Sequence, residues 1–154
     1  MKFSALAALA ALQLQTVSAS FYIYWSQDAA SGTGAYMYHF FPAHPSCNDV
    51  NHAISYLEQD KLRADQWGVV CEGKGCYNGK FEEVMRFEMG TRFGHYTIYQ
   101  DRAFGLYDVN DVKMGTCVPT REDDYTCFVG PFGESGVTMF YCDGGVTVNN
   151  DPKV

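Results

Sequence analysis

Hydrophobic and polar residues alternate with a period of two in two segments near the N-terminus. Residues 21–26 place Phe21, Ile23 and Trp25 on one side, and residues 34–41 show the same alternation with many aromatic residues. This pattern is typical of β-strands, whose successive side chains point to opposite faces. Glycine, serine and aspartate in the stretch between them predict a long connecting loop. We therefore expect the chain to open with a β-hairpin.

The pattern changes to a helical period directly afterwards. Ser46 followed by Asp49 forms a capping box, in which each side chain accepts a hydrogen bond from the other residue's backbone N–H at a helix start. The hydrophobic positions that follow have the spacing of a single helix face: Val50, Ala53, Ile54 and Leu57. These signals predict one α-helix over about 47–60.

Short β-like runs separated by turn residues occupy the rest of the chain. Residues 84–89 alternate between a hydrophobic face and a charged face, as expected for a strand with one side in water. The two sets are Met85, Phe87 and Met89 against Arg86 and Glu88. Regularly spaced short strands predict a mostly antiparallel sheet. The expected fold class is therefore α+β: an N-terminal β-hairpin, one helix at about 47–60, and then an antiparallel sheet braced by disulfides.

The start of the chain has the composition of an export signal. Lys2 precedes a short apolar run, and small residues follow where a signal peptidase cleaves. We predict a secretory signal peptide over 1–19 and a single disulfide-rich domain over 20–154, with a frayed tail at 149–154. The apolar run is shorter than the ~20 residues that cross a bilayer. We therefore expect a secreted, extracellular protein.

Charge argues against two classes of partner. The formal net charge is −7, from 18 acidic and 11 basic residues. An acidic surface repels phosphate backbones and anionic lipid headgroups. We therefore expect neither a nucleic acid nor a membrane as the partner.

Six cysteines follow the predicted signal: Cys47, Cys71, Cys76, Cys117, Cys127 and Cys142. An even number in an exported chain predicts structural disulfides. The chain lacks a C-x-x-C redox motif, and its cysteine spacing lacks the second pair or the histidines of a zinc site. We expect no metal and no cofactor. The pairing stays open, because Cys71 is compatible both with a local bond to Cys76 and with a bond to a distant strand.

The expected order of hairpin, helix and antiparallel sheet resembles that of the small secreted guanyl-specific ribonucleases of fungi. Residues 86–95 contain the residue types that this family uses as base, phosphate-binding group and acid: Glu88, Arg92 and His95. The family spreads these residues over separate strands and takes its acid from a late strand, whereas this chain has no histidine after His95. The resemblance implies either a ribonuclease that uses these three residues or a related protein without the activity.

Two surfaces are candidates for binding a partner. If Phe21 and Ile23 face the core, four tyrosines form a ladder on the opposite face: Tyr22, Tyr24, Tyr36 and Tyr38. A tyrosine ring suits stacking on a sugar and contact with a protein. The alternative is that another layer covers this face and makes the ladder part of the core.

The second candidate surface is the acidic loop between Cys117 and Cys127, presented as a hairpin tip held by a disulfide. Its charged side chains include Arg121, Asp123 and Asp124. The alternative is an ordinary solvated turn.

The signal, the size, the six cysteines and the incomplete catalytic set together resemble the small secreted cysteine-rich proteins of filamentous fungi. Many members of that class act as effectors. The resemblance implies a non-enzymatic virulence-type factor that binds an extracellular host or microbial protein or a glycan. A small secreted hydrolase of the ribonuclease type and a carbohydrate-binding module are the alternatives.

Overall fold

The computed structural model describes residues 19–28, 36–129 and 132–149. The predicted signal peptide, apart from Ala19, and the predicted tail, apart from Asn149, lie outside these residues. No helix in the described part of the chain is long and apolar enough to cross a membrane.

Strands dominate the described part of the chain, which also contains two short α-helices and two single 3₁₀ turns. The strands are β1 (Ala19–Asp28), β2 (Tyr36–Phe41), β3 (Tyr56–Leu57), β4 (Gly68–Gly73), β5 (Val84–Thr91), β6 (Gly94–Tyr99), β7 (Gly105–Asp108), β8 (Lys113–Pro119), β9 (Asp124–Val129) and β10 (Phe132–Gly144). The helices are α1 (Cys47–His52) and α2 (Gly75–Asn78), and the 3₁₀ turns are Phe81–Glu83 and Gln100–Arg102.

The strands form one sheet that curls into a nearly closed barrel. Its order is β3-β2-β1-β10-β8-β7-β6-β5-β4, and all these neighbours are antiparallel. The two ends of this order meet where Glu58 forms a parallel bridge with Val69 and the Gln59 N–H donates to the Val69 carbonyl at 2.7 Å. When nine strands alternate in direction around a barrel, the first and the last run the same way, so they can meet only in parallel. The contact between Glu58 and Val69, at the seam between β3 and β4, is this parallel contact. Strand β9 pairs with the first half of β10, beyond the end of β8.

Hydrophobic side chains from every wall fill the barrel. Phe87 of β5 packs against Tyr38 of β2 and Phe140 of β10, with ring centroids 5.2 and 5.9 Å apart. The largest fully buried hydrophobic side chains are Tyr24, Tyr38, Tyr56, Phe21, Phe40, Phe81, Phe87, Phe140, Ile23, Met89, Ile98 and Leu106. All of these except Tyr24 lie in the barrel core. The interior is thus a packed core, as small barrels require.

A second, smaller core lies on the outer face of β1 and β2. Helix α1 covers this face and contributes Val50, which packs with Tyr24, Phe41 and Tyr125. The Cys47–Cys127 disulfide joins the start of α1 to β9. The helix therefore links β1 and β2 to β9 on the outside of the barrel.

The predicted α+β fold class is wrong, because the expected helix over 47–60 ends at His52 and the fold is β-rich. The capping box is present: the Ser46 hydroxyl accepts from the Asp49 N–H at 3.3 Å, and the Asp49 carboxylate accepts from the Ser46 N–H at 2.8 Å. Beyond His52, the hydrophobic residues that suggested a longer helix face separate: Ala53 packs against the second core, Ile54 packs against the barrel core, and Leu57 is 51% exposed. Tyr56 lies opposite Tyr38 in β3 and packs against Phe40 at 5.2 Å, so sheet pairing and aromatic burial override a weak helical pattern.

The alternation predicted for β5 is broken by a bulge at the strand start. Phe87 and Met89 point into the core as expected, but Met85 is 62% exposed and Val84 is buried instead. The register with β4 shifts between Glu72 and Gly73, so that Gly73 pairs with Val84. One extra residue on β5 reverses the direction of the side chains at this end.

All six cysteines form disulfides, which confirms the prediction of a disulfide-braced protein. The pairs are Cys47–Cys127, Cys71–Cys76 and Cys117–Cys142. Cys71–Cys76 is the local bond, closed over 5 positions, and it fixes α2 to the end of β4. Cys47–Cys127 spans 80 positions and holds the second core together.

Removing these two bonds separately will have unequal effects. By loop-closure entropy, we expect the double variant Cys47→Ser/Cys127→Ser to lose about 4.5 kcal/mol of unfolding free energy, and Cys71→Ser/Cys76→Ser about 2 kcal/mol. Guanidinium unfolding of both variants beside the intact protein measures the difference. Equal losses would show that strain or packing around the bonds, rather than chain entropy, sets their contribution.

Candidate functional site

A chain of four charged or titratable side chains runs across the outer face of β4, β5 and β6. Glu72 accepts two hydrogen bonds from the Arg86 guanidinium, at 2.6 and 3.0 Å. Arg86 also donates to Glu88 at 3.0 Å. The other oxygen of Glu88 lies 2.8 Å from Nε2 of His95. The Arg86 hydrogen bonds lower the pKa of Glu72, and the same contact raises the pKa of Arg86.

The strand register brings Glu88 and His95 together. Phe87 and Met89 point into the barrel, so Glu88 between them points outward. His95 of β6 lies opposite Gly90 of β5. Because Gly90 has no side chain, nothing at that position separates the imidazole from the carboxylate two residues away.

Two of the three residues expected for a ribonuclease therefore meet, and a different arginine joins them. Arg92 lies in the turn between β5 and β6, where its backbone N–H donates to the Tyr56 hydroxyl at 3.3 Å. The arginine that donates to Glu88 is Arg86. The sequence indicates this contact, since Arg86 and Glu88 are two residues apart on one strand and therefore share a face. The ribonuclease resemblance predicted Arg92 instead.

The geometry of Glu88 and His95 is better suited to a structural contact than to catalysis of phosphoryl transfer. In that reaction the attacking and leaving oxygens lie roughly in line, so a base and an acid must stand on opposite sides of the phosphate. Glu88 and His95 instead hydrogen-bond to each other. Both side chains are mostly buried, and Nδ1 of His95 is buried without a hydrogen-bond partner. His95 lines a small cavity together with Trp67, but Glu88 is not among the residues that line it, so the two groups do not stand on opposite sides of a space for a phosphate.

The predicted tyrosine ladder is divided between the two faces of the sheet. The register places Tyr22 opposite Phe41 and Trp25 opposite Tyr38. Tyr22 and Tyr24 consequently lie on the outer face, whereas Tyr36 and Tyr38 lie on the inner one. Tyr24 and Tyr38 are fully buried, and burial raises the pKa of both hydroxyls. The four rings do not form one exposed platform.

A hydrogen-bonded cluster ties the predicted acidic loop to the barrel. The Tyr24 hydroxyl donates to the Asp123 carboxylate at 2.7 Å and lies 3.0 Å from Nδ1 of His44. The same imidazole nitrogen is 2.9 Å from the Asp123 carboxylate, and the Tyr22 ring packs on the His44 ring at 4.3 Å. Asp123 thus fastens the chain before β9 to the loop after β2.

The other two predicted binding residues of that loop, Arg121 and Asp124, are both exposed. Arg121 donates to the Gly79 carbonyl at 3.2 Å and lies over the Phe81 ring, so it fastens the loop to the end of the barrel. Asp124 is exposed at the start of β9. The loop is not a hairpin tip closed by its own disulfide, because Cys117 pairs with Cys142 and Cys127 pairs with Cys47.

A polar network lies beside the second core, around a fully buried histidine. Nε2 of His39 is 3.0 Å from the Ser55 hydroxyl and 3.6 Å from the Glu134 carboxylate. Glu134 also accepts a hydrogen bond from Tyr125, whose hydroxyl is 2.8 Å from that of Ser26. Burial lowers the pKa of His39 to about 4. The imidazole is therefore neutral near pH 7, and it joins β2 to β10 and to the chain after α1.

A surface groove with a volume of about 460 Å³ lies beside α1. Its apolar part includes Phe41, Pro45 and Val148, and its polar part includes His44 and His52. Within the described ranges, no three histidine, cysteine, aspartate or glutamate side chains are placed to hold a metal ion.

No protein family, curated protein or solved structure matches this chain.

Protonation of His39 will destabilise the fold in mild acid. Its pKa is 6.5 when exposed and about 4 in the folded protein. The unfolded chain binds more protons between these values, so unfolding free energy falls as the pH drops through this window. We expect this histidine to account for up to about 3 kcal/mol of the loss.

Chemical denaturation at pH 7, 5.5 and 4, with His39→Gln and with the exposed His52→Gln as a matched control, measures the effect. The nearby Glu134 carboxylate acts in the opposite direction, since it favours the protonated imidazole. A pH dependence that is unchanged in His39→Gln would contradict the assignment.

Proposed function

We propose that this protein is a secreted, non-enzymatic interaction protein of the effector type, which binds an extracellular host or microbial protein or a glycan. One observation carries the proposal: the barrel is filled by its own side chains, while many large hydrophobic side chains are more than half exposed outside. They are Leu57, Trp67, Tyr77, Met85, Val109, Val112, Val118 and Phe128. Exposed hydrophobic side chains commonly form part of the sites at which proteins bind partners.

The covalent framework supports an extracellular location. Three disulfides join all six cysteines, and disulfides persist in oxidising compartments. Such bonds also limit the unfolding that extracellular proteases exploit, because they reduce the entropy of the unfolded chain. The predicted signal peptide points to the same location.

The arrangement of the titratable groups supports a non-enzymatic role. Glu88 and His95 hydrogen-bond to each other, and Arg86 is shared between two carboxylates. His39 is held neutral and buried. Asp123 and His44 form a contact between two loops. Each of these groups already has a structural partner.

A ribonuclease is the second candidate, favoured by the contact between Glu88 and His95. The test is incubation of the mature, oxidised protein with RNA, beside Glu88→Gln, His95→Gln and the exposed control His52→Gln. We expect no cleavage above the background of the His95→Gln preparation. Cleavage that is lost in both site variants and kept in His52→Gln would make this protein an enzyme.

Binding is tested on extracellular surface material, using fungal and plant cell walls as the probes. We expect the protein to sediment with at least one wall preparation. Protease treatment of the wall will abolish binding if the partner is a protein, and periodate oxidation will abolish it if the partner is a glycan. Replacement of the exposed Phe128 and Trp67 by serine, with exposed Lys113→Ser as control, tests whether the apolar outer surface makes the contact. No sedimentation with any wall would overturn the proposal for these surfaces.

A further inference from the structure

We propose that the loop before β4 and the hairpin between β5 and β6 form a binding site for one neutral pyranose residue of a glycan, stacked on Trp67. This inference rests on the proposed function and names the ligand class of one site. The site is a cavity of about 150 Å³, lined by residues 64–67 on one side and by Gly90, Thr91, Gly94 and His95 on the other. We call it the Trp67 cavity.

The walls of the Trp67 cavity are held in place before any ligand arrives. The loop is closed at its base by the Gln59 N–H bond to Val69 and by a side-chain hydrogen bond from Gln66 to Gln59. A turn bond from the Gln66 N–H to the Arg63 carbonyl, 3.0 Å long, shapes its tip. Since these bonds are formed in the free protein, binding costs little ordering of the loop.

The opposite wall is fixed by the ends of β5 and β6. The Thr91 hydroxyl donates to the Gly94 carbonyl at 2.8 Å across the hairpin. At position 90 a Cβ atom would clash with the Gln66 carbonyl oxygen, so the loop lies directly on the backbone of β5. Glycine at position 90 is therefore what allows the two walls to approach.

Trp67 is the part of the cavity that indicates a sugar. Its side chain is 59% exposed, which leaves a large apolar surface in water without a partner in the described structure. A pyranose presents an apolar face of C–H groups and a rim of hydroxyls. The indole ring matches the face, while the Asp65 carboxylate and the Gln66 amide offer acceptors and donors for hydroxyls at the rim.

Charge around the cavity favours an uncharged ligand. The loop carries two acidic and two basic side chains, Asp60 and Asp65 against Lys61 and Arg63, so its formal charge is zero. On the other wall, His95 contacts the Glu88 carboxylate, which also accepts from Arg86, and the hairpin carries one cation, Arg92, between Thr91 and Gly94. The acidic protein as a whole repels phosphate and uronate groups. A neutral sugar needs none of these charges to be compensated.

Tryptophan fluorescence can report binding at this site, because Trp67 is one of only two tryptophans in the sequence. Trp25 is half-buried and stacks on Tyr36 at 4.9 Å, so Trp25→Phe keeps an aromatic ring there and leaves Trp67 as the single reporter. The probes are hexasaccharides of chitin, cellulose, β-1,3-glucan, xylan and mannan. With at least one of them we expect a saturable change in Trp67 emission and slower quenching by acrylamide.

Variants then locate the binding. Calorimetric titration measures the affinity for the sugar that responds, with each substitution made in the otherwise unchanged protein. Trp67→Ala and Asp65→Ala should each lower this affinity by about tenfold or more. Trp67→Phe should retain part of the affinity, and the distant exposed variant Met85→Ala should retain all of it. Near-ultraviolet circular dichroism and thermal unfolding confirm that each variant is folded.

Three results would overturn the inference. If a sugar binds and Trp67→Ala binds it equally well, the site is wrong while the proposed function stands. If no sugar in the panel binds, the glycan ligand is wrong, and a protein partner for the same surface is still tested by the wall experiment. If a lysine- or arginine-rich peptide quenches Trp67 and the sugars do not, the cavity recognises a cation instead.

Discussion

The seam between β3 and β4 is the constraint on which the rest of the structure depends. It provides the one parallel contact that closes a ring of otherwise antiparallel strands. Glu58 adds side-chain bonds at the same point, since its carboxylate accepts from Tyr38 inside the barrel at 3.4 Å and from Tyr77 of α2 at 2.5 Å. The second bond raises the pKa of Tyr77 to about 12. Closure brings the two end strands into contact and reduces the exposed sheet edge, on which other chains would pair.

Closure also decides where this protein can interact with others. Aromatic rings from all sides meet inside the barrel and fill its interior. The connection that crosses the seam is the loop 59–67, and it lies on the outer face of β4 and β5 because Gly68 and Gly90 leave room for Leu62 and Gln66. The same segment that closes the barrel therefore builds one wall of the Trp67 cavity.

Burial and pairing explain why residues with catalytic chemistry have structural roles here. Glu88 and His95 have the residue types of a general base and acid, yet each is the other's hydrogen-bond partner. His39 has lost its charge to burial, since desolvation disfavours the imidazolium form. Residue type thus indicates possible chemistry, whereas the contacts of each side chain decide whether that chemistry is available.

The sequence by itself determined the local features of this protein. Alternation predicted the strands β1 and β2, the capping box predicted the start of α1, and the even cysteine count predicted disulfides. It also placed Glu88 on the outer face of its strand. These features depend on residues a few positions apart, whose geometry is set by backbone periodicity and by local hydrogen bonds.

Only the tertiary structure decided where α1 ends, which cysteines pair and how the tyrosines divide between faces. The helix ends before Tyr56 because β2 offers this residue a strand partner and Phe40 an aromatic contact. The register of β1 against β2 sends Tyr24 and Tyr38 to opposite faces, and the bulge in β5 opposite Gly73 turns Met85 outward. Each of these outcomes depends on residues far apart in the chain. Their contact energies outweigh the small local propensities that a sequence pattern reports.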